Sequence, residues 1–232
     1  MTENRPLLAA SGLGKRFGGF VALEGIDLAV DTGERLGLIG PNGSGKSTLV
    51  NCLCGALHHD SGTVTFDGRA IDGLPAYQRT RLGLARSFQL PKPFRSMNLI
   101  DNLRIPLLYA VNARQGVRLT AGAISERCLA LLDDVGLADK AGRLPRDLTQ
   151  VEMRKLELAR AVASAPRLLF ADETMAGLSP SEIEEILLVL FRLNESGIAI
   201  VLIEHIMRAV MRFSTRLRAS TSTMPSTASP CR

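Results

Sequence analysis

The chain has 232 residues, 46% hydrophobic and 22% charged, a balance that excludes wholesale disorder and fits one medium-sized domain with room for an insertion. Its longest uninterrupted apolar runs, residues 186–191 and 198–203, are six residues each, far short of the roughly 20 that a membrane-spanning helix needs. The net charge of +5 is local: every acid lies before His205, and Arg208, Arg212, Arg216, Arg218 and Arg232 carry the whole excess. With no Trp, two Tyr and no interleaving of basic and aromatic residues, no nucleic-acid partner is expected.

Taken in chain order, MTENRPLLAA has an early acid and no long apolar segment, so no secretory signal is expected and the compartment reads as the cytosol. Residues 7–13 and 21–30 are β-like runs broken by glycine, and residues 35–40 (RLGLIG) form an apolar strand that runs into a Gly-rich turn. A buried helix is expected over 47–57, with Gly55 inside it, and a strand over 63–66 before the turn Asp67-Gly68. From about 95 to 165 the texture is helical, clearest at 125–135 and 152–165. Strands return at 167–171 and 198–203, with a helix over 181–194 that Ser179-Pro180 opens.

Alternating strands and helices imply an α/β fold with a mainly parallel, covered sheet, an antiparallel β part at the N-terminus and an inserted helical subdomain. One domain is expected over 6–218, its core about 6–92 and 160–218 and its insertion about 93–159. The stretch 219–232, with seven Ser/Thr and two Pro, reads as a low-complexity tail. Cys52, Cys54, Cys128 and Cys231 form no C-x-x-C pair and have no His cluster beside them, so they are assigned no chemistry.

Two segments carry chemistry. Gly40, Pro41, Asn42, Gly43, Ser44, Gly45, Lys46, Ser47 and Thr48 match G-x-x-x-x-G-K-[ST] at every fixed position. Backbone N–H groups of such a loop cradle phosphate oxygens, and the helix after it offers its positive end to the same anion. Lys46 is placed to reach the terminal phosphates of a bound nucleotide, and the Ser47 hydroxyl to hold Mg2+. The bland alternative, a plain glycine turn, is disfavoured by the strand before and the helix after. The second segment, Leu168-Leu169-Phe170-Ala171-Asp172-Glu173, is an apolar strand ending in two carboxylates. Asp172 is read as serving Mg2+ and Glu173 as the general base for an attacking water; alone, the pair could simply terminate a buried strand in solvent.

With these motifs the sequence resembles the ATP-binding subunits of ABC transporters over nearly all of residues 6–213, and ATP and Mg2+ are the implied cofactors. The resemblance assigns Phe17 to stacking on adenine, the alternative being a core phenylalanine. It makes Gln89 the link between the Mg2+ site and the membrane partner, and His205 the residue that hydrogen-bonds the terminal phosphate. The loop after Glu173, Ala176-Gly177-Leu178-Ser179, corresponds to the one that meets the opposite subunit.

Two segments depart from the family pattern. Where the signature L-S-G-G-Q is expected, the chain has Leu148-Thr149-Gln150-Val151-Glu152. Both glycines are gone, and a branched Val151 is expected where the backbone approaches the phosphate held by the other subunit. Hydrolysis at the partner's site should therefore be weakened. After a helix over 206–213 the pattern dissolves, so a further family strand is expected to be missing and a sheet edge left unpaired, either through an altered end or a genuine tail.

The stretch ARSFQLPKPFRSMNLIDNL is similar to the ATPases of branched-chain amino acid importers. That resemblance implies membrane permeases, a second ABC ATPase subunit, an indirectly coupled periplasmic binding protein and a place on the cytoplasmic face of the inner membrane. A lipopolysaccharide-export ATPase and a hydrolysis-impaired or truncated ATP-binding module are the alternatives. A cassette working on nucleic acid or ribosomes is disfavoured, since the chain has neither a second cassette nor a long coiled-coil insertion.

Overall fold

A computed structural model describes residues 5–87 and 91–219. Strands β1 (Leu8–Phe17), β2 (Phe20–Val30), β4 (Ser61–Phe66) and β5 (Arg69–Ala70) form an antiparallel sheet in the order β2-β1-β4-β5. Strands β3 (Arg35–Ile39), β6 (Leu84–Ser87), β7 (Leu168–Asp172), β8 (Ala199–Ile203) and β9 (Arg216–Ala219) form a parallel sheet in the order β6-β7-β8-β3-β9. The helices are α1 (Lys46–Leu53), α2 (Ala76–Leu82), α3 (Leu99–Pro106), α4 (Ala121–Asp134), α5 (Gln150–Val162), α6 (Pro180–Glu195) and α7 (Met207–Phe213).

The parallel sheet is covered on both faces, which is why its central strands read as continuous apolar runs. Along β8, Ala199, Val201 and Ile203 pack into one cluster with α1 and the antiparallel sheet, while Ile200 and Leu202 pack into the other with α3 to α6. Phe170 and its neighbour Leu169 divide in the same way on β7. The helical stretch between β6 and β7 holds α3, a π turn at Leu107–Val111, α4 and α5.

Local signals work as expected at several boundaries. Ser179 caps α6, with its hydroxyl accepting from Glu182 N–H and the Glu182 carboxylate accepting from Ser179 N–H, and Pro180 fills the first turn. Asp67 (φ 51°) and Gly68 (φ 71°) make the tight turn between β4 and β5. Helix α1 stops at Leu53, short of residue 57: Gly55 turns left-handed (φ 75°), and buried Arg79 caps the helix, Nη1 donating to Cys52 O at 2.9 Å and Leu53 O at 2.8 Å.

The expectation of a missing C-terminal strand is corrected. β9 pairs in parallel with β3 from Leu36–Arg216 to Ile39–Ala219, and so includes the first residue of the expected tail. Arg216 fixes it, Nε donating to Glu34 Oε1 at 2.6 Å. Its polar–apolar alternation, Arg216, Leu217, Arg218, Ala219, lasts only four residues before the sequence turns Ser/Thr-rich, which is how it escapes pattern reading.

Candidate functional site

The carboxyl ends of β3, β7 and β8 lie side by side, because β8 pairs with both of the others. The segments leaving these three strands therefore converge on one edge, where ligands of open α/β sheets bind. After β3 comes the glycine loop, after β7 Glu173, and after β8 Glu204 and His205.

The loop owes its shape to its glycines. Gly43 sits at φ 81° and Gly45 at φ 85°, and a Cβ on Gly45 would stand 2.6 Å from Ala22 O. Only glycine meets both conditions. Lys46, the first residue of α1, folds back over the loop: Nζ donates to Gly40 O at 2.5 Å and Pro41 O at 2.8 Å, and lies 3.4 Å from Ser44 Oγ. Ser47 is exposed on the first turn and Thr48 half-buried; Pro41 and Asn42 form the exposed rim. A glycine loop at a helix start with an ammonium beside it is an arrangement that suits a phosphate anion.

Asp172 closes β7, its carboxylate 6% exposed. Arg86 Nη2 donates to Asp172 Oδ2 at 2.6 Å and Arg86 Nη1 to Asn51 Oδ1 at 2.5 Å, while Asp172 N–H donates to Ser87 Oγ at 3.3 Å. Glu173 is half-buried and left-handed (φ 48°), a conformation costing an ordinary side chain about 1–3 kcal/mol, and its N–H donates to Ile203 O at 2.9 Å. Strain at this residue is consistent with a functional constraint on where its carboxylate stands.

His205 is largely exposed, with Nδ1 3.9 Å from Glu204 Oε2. Glu204 itself is buried, and burial pushes its carboxyl up to about 7, against the pull of the Met175 N–H and of His205. Phe17 ends β1 half-exposed, with Lys15 Nζ 5.6 Å from its ring centroid, so it is no core residue and offers a free aromatic face. Gln89 lies outside the described residues.

The expected signature segment lies at the start of α5. Thr149 caps that helix: its Oγ1 accepts from Glu152 N–H at 3.4 Å, and Glu152 Oε2 accepts from Thr149 N–H at 3.0 Å. Lys140 pairs with Glu152 and, with these bonds, holds its carboxyl below the usual range. Leu148 is half-buried and Gln150 exposed. Val151, expected at the surface, is 8% exposed and packs into the core cluster. The second helical position turns inward, so its branched Cβ does not face an incoming phosphate; the surface is made by Thr149, Gln150 and the Glu152 carboxylate.

Among the described residues no group of three or more His, Cys, Asp or Glu could hold a metal unaided. Mg2+ is usually bound through one or two oxygen ligands together with substrate phosphates. The Ser47 hydroxyl on α1 and the Asp172 carboxylate at the end of β7 are hard oxygen donors. Pattern reading missed Arg86, Asn51, Arg154 and Glu204. None stands at a fixed motif position; Arg154 and Glu204 are marked by burial of a charged side chain, and Arg86 and Asn51 only by their bond to one another and that of Arg86 to Asp172.

Fold and site together define a nucleotide-binding cassette of the phosphate-loop class. The ABC transporter family matches residues 23–176, and the chain belongs to that family. It is similar to the high-affinity branched-chain amino acid transport ATP-binding protein LivG of Salmonella typhimurium, 36% identical over 223 residues that cover 92% of this chain and 88% of that one. BraF of Pseudomonas aeruginosa, which bears the same description, is 34% identical with the same coverage. A nucleotide-free ATP-binding cassette from an ABC transporter superposes with a TM-score of 0.82 at 28% identity, covering 94% of this chain and 88% of that one.

Proposed function

We propose that the chain is the ATP-hydrolysing subunit of an importer for branched-chain, hydrophobic amino acids. The observation that carries the hydrolytic part is the convergence of the Lys46 cradle, Asp172, strained Glu173 and His205 on one sheet edge. The cargo class rests on the similarity to LivG and BraF, since no residue of the site is shaped for an amino acid.

In this reading Phe17 stacks on adenine, the loop amides and Lys46 hold the phosphates, and His205 hydrogen-bonds the terminal phosphate. Ser47 and Asp172 would hold Mg2+, with Gln89 beside it; the metal, when bound, neutralises phosphate charge. Glu173 accepts the proton of the attacking water. Water attacks the terminal phosphoryl group and ADP leaves; no residue of the chain bonds to that group, so positioning and charge supply the catalysis.

Two ATP molecules would be sandwiched between this chain and a second ABC ATPase subunit. Closure would drive the permeases between states, hydrolysis would reopen the dimer, and a periplasmic binding protein would deliver cargo. Among the described residues no helix is long and apolar enough to cross a membrane; the similarity to LivG and BraF supports a peripheral place on the cytoplasmic face of the inner membrane. A groove of about 400 Å³ between α2, β6, α3 and α5, rimmed by exposed Tyr77, Phe94 and Tyr109, supports docking of an apolar permease element. Arg86, the partner of Asp172, lines the same groove.

The test is affinity purification of the chain from its native membranes with mass spectrometry of what is retained, paired with labelled leucine uptake in cells carrying Lys46→Ala. Co-recovery of permeases and a second ATPase, with uptake lost in the variant, is expected. Recovery alone, with uptake intact, would overturn the importer reading.

A further inference from the structure

The turn after Glu173 and the loop before His205 are joined twice. Glu173 N–H donates to Ile203 O at 2.9 Å, and two residues on, Met175 N–H donates to Glu204 Oε1 at 2.8 Å. Met175 and Glu204 are both buried, so solvent does not compete for the second bond. The other carboxylate oxygen, Oε2, makes no hydrogen bond and faces His205 Nδ1 at 3.9 Å. One buried carboxylate thus lies between the turn that carries Glu173 and the ring of His205.

The same turn is held from a third side. Arg154, a buried residue of α5, donates through Nη2 to Ala176 O at 3.4 Å, and its charge is felt by Glu204, Glu157 and Glu173. One turn earlier on α5, Gln150 Nε2 lies 3.0 Å from where a Cβ on Gly177 would stand, so α5 rests against the turn backbone at two points. Glu204 is therefore faced by Met175 N–H and Glu173 from the turn, by Arg154 from α5 and by His205 from its own loop.

We propose that Glu204 is a positioning residue for hydrolysis: its carboxylate pins the turn after Glu173 to the loop carrying His205, while Arg154 ties that turn to α5. The proposal rests on the reading of Glu173 and His205 as the hydrolytic pair. Its consequence is mechanical. The start of α5, which the cassette presents to the opposite subunit, and the pair that serves its own nucleotide are braced against one short turn, so a displacement at one site is felt at the other. Burying a carboxyl costs desolvation, and here its Oε1 serves the buried Met175 N–H, which an apolar side chain would leave without an acceptor.

The test uses the full chain. Glu204→Leu keeps the volume and removes the acceptor, and Glu204→Gln restores an acceptor without the charge. Hydrogen exchange across residues 173–178, affinity for a fluorescent ATP analogue, and kcat and KM for Mg·ATP are measured for both, with Glu173→Gln alongside. In Glu204→Leu the Met175 amide should exchange at least tenfold faster, nucleotide affinity and KM should stay within twofold, and kcat should fall at least tenfold. Glu204→Gln should recover most of both losses. A Met175 amide as protected in Glu204→Leu as in wild type, or Glu204→Gln no better than Glu204→Leu, overturns the proposal, and the exchange result decides without any turnover. Wild-type hydrolysis by Glu173→Gln would instead overturn the reading of the site, whatever Glu204→Leu does.

Discussion

Arg86 and Asp172 form an ion pair of 2.6 Å in which both side chains are largely buried, and the same guanidinium reaches Asn51 on α1. One side chain from β6 therefore fixes the end of β7 relative to the helix after the phosphate loop. Removing one partner of a buried pair strands the other charge, at a cost of about 3–5 kcal/mol. Arg86→Met should lower unfolding stability by about 3 kcal/mol, read from urea denaturation. Adding Asp172→Asn should return part of that loss, because the stranded charge is gone. A double variant as unstable as the sum of the singles would show that the pair is not coupled.

Lys46→Ala should weaken nucleotide binding about 10- to 100-fold, the value of one charge-assisted contact to phosphate of about 1.5–3 kcal/mol. The same variant frees Gly40 O and Pro41 O from their donor, so the loop also loses its brace. Titration with a fluorescent ATP analogue measures this, and unchanged affinity would remove Lys46 from the phosphate site.

Glu173→Gln should keep nucleotide affinity within about threefold and lower hydrolysis by about 10²–10⁴, the usual contribution of a general base. Light scattering or gel filtration with ATP should then find a closed dimer with the second ATPase subunit, since binding without hydrolysis leaves nothing to reopen it. A variant that hydrolyses normally would transfer the general-base role elsewhere.

How much of the molecule is legible in its sequence depends on how far a function is local. The Lys46 loop and the Asp172-Glu173 strand end are each contiguous, so both are visible in the sequence, the second read as a site only beside the first. Helix α6 is legible because Ser179, Pro180 and Glu182 are a local start signal. β9 is not, because its alternation of arginine with Leu217 and Ala219 is only four residues long, too short to stand out beside the Ser/Thr-rich stretch after it. Arg86 and Glu204 are not, because their meaning lies in partners 86 and 29 residues away along the chain. Val151 reads on the wrong side: its position in the segment is legible, but the rotation that buries it depends on how the Thr149 cap sets the start of α5.

That rotation changes what repair of the segment should achieve. Val151→Gly removes a buried side chain and adds glycine to a helix, so it should cost about 2–3 kcal/mol rather than open a path for phosphate. Glu152→Gln removes the one formal negative charge held at this helix start, where the positive end of α5 would otherwise face an anion. In a mixed dimer, Glu152→Gln should raise hydrolysis at the partner's nucleotide several-fold. Single-turnover cleavage with the other site disabled measures it, and a rate equal to wild type would discount the charge.

Stability should carry the imprint of Glu204 as pH changes. Its carboxyl is raised by burial from an ordinary 4.5 to about 7, so between those values the folded chain keeps a proton that the unfolded chain has released. The stabilisation tied to that proton is present in full below the window and is lost as pH rises through it, by about 3 kcal/mol at most. Glu204→Gln has no such proton to lose. Its stability relative to wild type should therefore be greater at pH 8 than at pH 5, read as the difference between two urea midpoints at each pH. Taking the difference between variant and wild type cancels the titrating groups that do not interact with Glu204. A gap that does not widen between pH 5 and pH 8 would mean that Glu204 ionises in the folded chain as readily as in the unfolded one, and that Arg154 offsets its burial.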